Sequence, residues 1–214
     1  METLGAIALQ DDDLPDWTGA DYQEDPNDAA DSAALLACDG GRDTGPDRIA
    51  QVHSQDYSLD DATIGSDASL FRSGADLTAD IATLRSPKIS RCYATLIKST
   101  LADSLPDGTT VNSVSFVITP GSGGGPRNVV GHGSGRINVT SAGQPLALYL
   151  NVAFITGPLI EAEIDFQGIG APVAIATRTA LIAKLAARAA EGQTIVSSGA
   201  PASNGTGKPA SFRR

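Results

Sequence analysis

Leu146-Ala147-Leu148-Tyr149-Leu150-Asn151-Val152-Ala153-Phe154-Ile155 is followed, after Gly157-Pro158, by Ile160-Glu161-Ala162-Glu163-Ile164-Asp165-Phe166. Both runs repeat at period two. In the first, Leu146, Leu148, Leu150, Val152 and Phe154 form one fully apolar side. In the second, Ile160, Ala162, Ile164 and Phe166 oppose Glu161, Glu163 and Asp165. Successive side chains of a strand point to opposite faces. Alternation this regular predicts an antiparallel sheet with one covered face and one wet face.

Working outward, residues 111–119 and 135–141 alternate in the same way and extend the meander. Residues 49–58 and 62–72 are two further strands, joined by a turn at Leu59-Asp60-Asp61, and Gly5–Gln10 reads as a short first strand. Helices are expected at four places. One starts at Asn27 or Asp28 and runs to about Cys38. Ser73-Gly74-Ala75-Asp76 has capping-box spacing and opens a helix to Arg85. Ser86-Pro87 opens another, with Ile89, Cys92, Tyr93, Leu96, Ile97, Thr100 and Leu101 on one stripe. Pro172 opens the last, which runs to Ala190. The expected fold is a single α+β domain over residues 1–191, an antiparallel sheet of about six strands with helices packed mainly on one face. It carries an acidic loop at 11–26 and a flexible Gly-rich loop at 120–134. The Ser-, Gly-, Ala- and Pro-rich stretch 192–214 is expected to be a disordered tail.

Charge is unevenly placed. The chain carries a net −10, but residues 1–61 hold 16 acids against Arg42 and Arg48. That front excludes nucleic acid and anionic membrane as partners, because phosphates need clustered Lys and Arg. No run approaches the ~18 apolar residues of a membrane span, so no membrane insertion by this chain is expected. Met1–Gln10 has neither the basic start nor the apolar core of a secretory signal.

Motifs for chemistry are sparse. Cys38, Cys92, His53 and His132 lack the paired spacing of a zinc site, and Asp11-Asp12-Asp13 with Asp16 breaks the calcium-loop pattern at Pro15, so no metal or cofactor is expected. Gly121-Ser122-Gly123-Gly124-Gly125-Pro126 fails the dinucleotide fingerprint, and Gly131-His132-Gly133-Ser134-Gly135 lacks the Lys-Ser/Thr ending of a phosphate loop. A hydrolase on Ser134 and His132 would lack the G-x-S-x-G elbow, and no catalytic residue is assigned. Two features remain as ligand-binding candidates. The polar sheet face presents Ser113, Ser115, Arg136, Asn138, Tyr149 and Asn151, a mix suited to a ligand wall. Arg178 projects into the apolar arc of the last helix, where it needs a carboxylate or an anionic ligand.

Asp13-Leu14-Pro15 with Trp17, Cys38, Phe71-Arg72-Ser73 with Ala75, and Ser86-Pro87 with Cys92 stand in an order that resembles a known family. It is that of the extracellular sensor domain of PknH-type receptor kinases and the related LpqN-type lipoproteins of actinobacteria, which share a PsbP-like α/β fold. The resemblance spans roughly residues 5–190. It implies an extracytoplasmic place in the cell envelope or secreted, with export signal or anchor upstream of this chain. It also implies a sensor-like or ligand-binding role toward an unknown small molecule or envelope protein, and it carries over no catalytic residue. The family's kinase sensor domain has two disulfides, whereas this chain has one pair of cysteines. Bridged, Cys38 and Cys92 would close a 54-residue separation, worth roughly 4 kcal/mol by chain entropy, and would place the protein in an oxidising compartment. Unbridged, they would be inert buried thiols in a cytosolic chain. The rival role is an interaction or scaffold protein whose acidic segment 11–31 docks a basic partner.

Overall fold

The computed structural model describes residues 2–24, 28–105 and 108–198. In chain order it holds α1 (Glu2–Gly5), β1 (Thr18–Ala20), α2 (Asp28–Asp39), β2 (Arg48–His53), β3 (Asp56–Leu59), β4 (Ala62–Phe71), α3 (Gly74–Ala82), α4 (Ile89–Ser104), β5 (Thr110–Pro120), β6 (Val129–Ser141), β7 (Gln144–Thr156), β8 (Ile160–Ile169) and α5 (Ile175–Ser198). The strands form one antiparallel sheet in the order β1-β3-β4-β8-β7-β6-β5, with β2 pairing β4 outside that path. The α+β class and the antiparallel sheet are as the alternation implies. The strand count rises from about six to eight for two reasons. Thr18–Ala20 adds an edge, and the run 49–58 breaks at Ser54-Gln55, so β2 and β3 take different parts of one edge of β4.

Register sorts the side chains into two faces. On the front, Ile64, Ala68, Ile164, Phe166, Ala153 and Ile155 pack against Leu181, Leu185 and Ala189 of α5. The N-terminal segment joins this core through Leu4, Ile7, Leu9 and Leu14. On the back, Phe116, Ile118, Val152 and Phe154 pack against Leu84, Ile89, Tyr93 and Ile97, with Leu35 of α2 outside them. Helices α2, α3 and α4 therefore cover the back, and α5 with the N-terminal segment covers part of the front. Burial of such side chains stabilises by about 1.5–3 kcal/mol each before chain entropy is subtracted.

The cysteines are bridged: Cys38 of α2 meets Cys92 of α4 at a Cα–Cα distance of 5.7 Å, with Cys92 fully buried and Cys38 exposed. Ser73 caps α3 as expected, accepting the Asp76 N–H at 3.2 Å and donating its hydroxyl to the Asp76 carboxylate at 2.6 Å. Among the described residues no helix is long and apolar enough to cross a membrane.

Four expectations change. Gly5–Gln10 is not a strand; it follows the one-turn helix α1, and its Leu9 N–H donates to the Ser66 hydroxyl at 2.8 Å. The acidic loop 11–26 contains a helical turn at Asp11–Asp13 and strand β1, and residues 25–27 lie outside the described residues. Gly131 and Gly133 join Gly135 in β6, which begins at Val129 and not at 135 and leaves only residues 121–128 between the strands. A Cβ on Gly133 would sit 2.4 Å from Val152 and 2.7 Å from Phe116, and one on Gly135 would sit 2.6 Å from Phe116. These glycines make room for large back-face neighbours. Finally, α5 passes Gly192, which is buried against Ile160 and Ile7, and continues to Ser198. The rest of the expected tail, 199–214, lies outside the described residues.

Candidate functional site

The polar candidates do come together, on the front of β5, β6 and β7 beyond the cover of α5. The Arg136 Nε donates to the Asn138 amide oxygen at 3.1 Å, and the Asn138 amide donates to the Ser113 hydroxyl at 2.8 Å. Ser115 donates to the Arg136 carbonyl at 3.3 Å, and the Arg136 guanidinium lies 5.5 Å above the Tyr149 ring. Asn151 is half-buried between Ser134 and Phe166 in the register. The groups form a ladder across an open surface and bond largely to one another. Arg178 lies in the first turn of α5, where its Nε donates to the Val173 carbonyl at 3.0 Å. His132 shares a hydrogen bond with the Ser122 carbonyl at 3.1 Å, while Ser134 is exposed on the strand.

The acidic N-terminal segment faces inward at two of its carboxylates. Asp11 accepts from the Tyr57 hydroxyl at 3.0 Å. Asp13 accepts from both terminal nitrogens of Arg188, at 2.7 and 2.8 Å, and from Lys184 at 3.2 Å. Burial acts to raise the Asp13 carboxyl, but the bonds from Arg188, the Gln10 N–H and Lys184 outweigh it and hold the group below its ordinary value.

A cavity of 540 Å³ lies on the other side of the sheet, between α4 and the back of β6, β7 and β8. That volume is within the range of small-molecule pockets. Its roof is Tyr93, Leu96, Ile97 and Leu101, the lower half of the apolar stripe on α4. Its floor is Ile137, Leu148, Leu150 and Gln167. Ile169, 46 % exposed, and the β3–β4 turn with Asp60 and Asp61 form the mouth, and Asp31 of α2 closes one side. Asp31 accepts from the Thr100 hydroxyl of α4 at 3.1 Å, so the bridge Cys38–Cys92 and this bond together fix α2 beside the cavity.

From the floor a row of carboxylates runs inward. Gln167 donates to Asp165 at 3.4 Å, and Glu163, Asp67, Glu161 and Asp80 follow. A Cβ on Gly65 would sit 3.0 Å from oxygens of both Asp165 and Asp56, so the bare glycine lets two carboxylates converge. The guanidinium that serves this row is Arg48, 3.4 Å from Asp80 and 3.8 Å from Glu161, and its buried Nε has no hydrogen-bond partner. Burial first, and then like charge, shifts the row. Asp165 is pushed up to about 6 by burial and the Asp67 and Asp56 charges, against its bond to Gln167. Asp67 rises to about 6, through burial opposed by Arg48 and Gln51. Glu163 rises well above the carboxylate range, from burial and then from Asp67 and Asp165. Glu161 rises too, through burial and its hydrogen bond to Asp80. Asp80 itself is held low, because bonds from Glu161, Arg48 and Thr44 overcome burial. Burial, followed by the Glu163 and Glu161 charges, raises the Tyr93 hydroxyl.

Sequence reasoning placed Glu161, Glu163 and Asp165 on a wet face and missed the cavity. A signal for it exists. The apolar stripe of α4 reaches Leu101, about three turns from Ile89, while the back-face core side chains Phe116, Ile118 and Phe154 meet it only as far as Ile97.

In overall fold the chain is similar to the crystal structure of the extracellular domain of PknH from Mycobacterium tuberculosis, at 10 % sequence identity and a TM-score of 0.48, with 89 % of this chain and 96 % of that chain covered. No family model matches the chain, and no curated protein matches it.

Proposed function

We propose that this chain is a non-catalytic, extracytoplasmic ligand-binding module of sensor type, and that its ligand occupies the cavity between α4 and the sheet. The observation that carries the reading is the lower part of the α4 stripe: Tyr93 and Ile97 touch the back core, whereas Leu96 and Leu101 join neither core cluster and face 540 Å³ of space instead. An amphipathic helix ordinarily turns its apolar face into the core. Here Leu96 is half-buried over the cavity. The bridge Cys38–Cys92 supports the compartment, since disulfides persist where the surroundings oxidise. The front ladder from Ser113 to Tyr149 lies open and flat, which suits it to a second, protein-facing surface of the envelope. The burial of Asp13 against Arg188 and Lys184 removes one charge from the acidic strip that the scaffold reading needs.

The test is titration with Nile red, an uncharged apolar dye, monitored by its emission. The expected result is saturable binding at one site per chain. Ile97→Trp, which fills the cavity from its roof, should abolish it while near-ultraviolet circular dichroism stays native. Binding that is unaffected by Ile97→Trp would place the dye elsewhere and overturn the assignment.

A further inference from the structure

We infer that the cavity selects an amphiphilic cation: a hydrocarbon chain carrying an amine or quaternary ammonium head. The inference rests on the reading of the cavity as the ligand site, and adds the charge of the ligand to it. Among the described residues, the charged ones lining the cavity are Asp31, Asp60 and Asp61, and none is Lys, Arg or His. Leu96, Ile97, Leu101, Ile137, Leu148 and Leu150 supply an apolar bed on either side of one long axis. Asp60 and Asp61 stand at the mouth in the β3–β4 turn and Asp31 of α2 at one side, so every charge on the lining is negative. Asp60 holds a positive φ of 50° in that turn. A ligand that matches this layout is apolar along its length and positive at its head.

The field below the floor has the same sign. Gln167 touches Asp165, behind which Glu163 and Asp67 continue inward, and Arg48 answers at the far end of the row. An anionic head, such as a fatty acid carboxylate, would meet negative groups at the mouth and negative potential below. An uncharged head would gain nothing from either. Clefts lined by one sign of charge raise the local concentration of the opposite sign and weaken as salt is added. The hydroxyls of Ser58 and Thr63 add neutral acceptors at the same end.

Three eight-carbon ligands separate the possibilities: octylamine, octanol and octanoate, each competed against Nile red at low salt. The expected order is octylamine tightest, octanol about tenfold weaker and octanoate weakest, with the gap narrowing at 0.5 M salt. Asp60→Asn with Asp61→Asn should bring octylamine to the affinity of octanol and leave octanol unchanged. Both positions are exposed turn residues, and asparagine tolerates the positive φ, so the variant should fold. If the three ligands compete equally, or the order survives in the double variant, the cation inference is overturned while the cavity stands. If none competes and Nile red itself fails to bind, the cavity reading falls and the inference falls with it.

Discussion

Asp13 and the carboxylate row of β8 are both acid taken out of water, and they are balanced in opposite ways. Asp13 is one carboxylate, 3 % exposed at its side chain, held by Arg188 and Lys184. The row sets Asp165, Glu163, Asp67, Glu161 and Asp80 against Arg48. A buried charge that is fully answered is a structural joint. Buried charges in excess of their partners are destabilising at neutral pH and persist where something else depends on them. The first arrangement ties the two ends of the fold together. The second lies under the floor of the cavity that we propose as the ligand site.

The comparison breaks most sharply at Arg48. Arg48→Met should cost about 3 kcal/mol at pH 7.5, because it leaves the row without its guanidinium. The deficit should shrink at pH 5, where Asp67 and Asp165, both near 6, are protonated. Urea denaturation at the two pH values measures this, and a deficit independent of pH would remove the row's charge from the account. Asp13→Asn should cost about 2 kcal/mol. Its pKa is depressed in the fold, so the contribution is present above about pH 4 and lost as the pH falls through the folded value. The gap to wild type should therefore be flat from pH 8 to 5. Glu163→Gln has the smallest effect and the opposite sign, a gain of about 1 kcal/mol at pH 7.5. Its raised pKa means that ionisation penalises the fold as pH rises, so the gain should vanish on acidification. A loss at pH 7.5 would mean that Glu163 is answered by a partner and that the two regions are alike.

Much of the fold was legible from residue order because the relevant forces are local. Period-two alternation marked β5, β7 and β8, and Ser73 and Asp76 marked the start of α3. What escaped was set by contacts distant in the chain. Alternation says that Glu161, Glu163 and Asp165 share a side, and it is silent on which helices cover that side. Helices α3 and α4 come from residues 74–104 and reverse the expected assignment. The glycines of β6 looked like a loop because the reason for them, Phe116 and Val152 occupying their Cβ space, lies on neighbouring strands. The cavity escaped for the same cause. Ser113, Arg136 and Asn138 do lie together, but the cavity depends on how α4 lies across β6, β7 and β8, which no spacing encodes.

The joint at Asp13 also sets the order in which this protein can be made. Residues 4–14 pack against β3 and β4 on one side and α5 on the other, where Arg188 also holds the Ala8 carbonyl; the Ala186 carbonyl of α5 accepts from Asn128. A nascent chain halted before residue 175 would have its sheet strands and its bridge, yet its front core would remain open to water. Closure of the front core is therefore a late event: Asp13 waits for Arg188 and Lys184, which arrive only with α5.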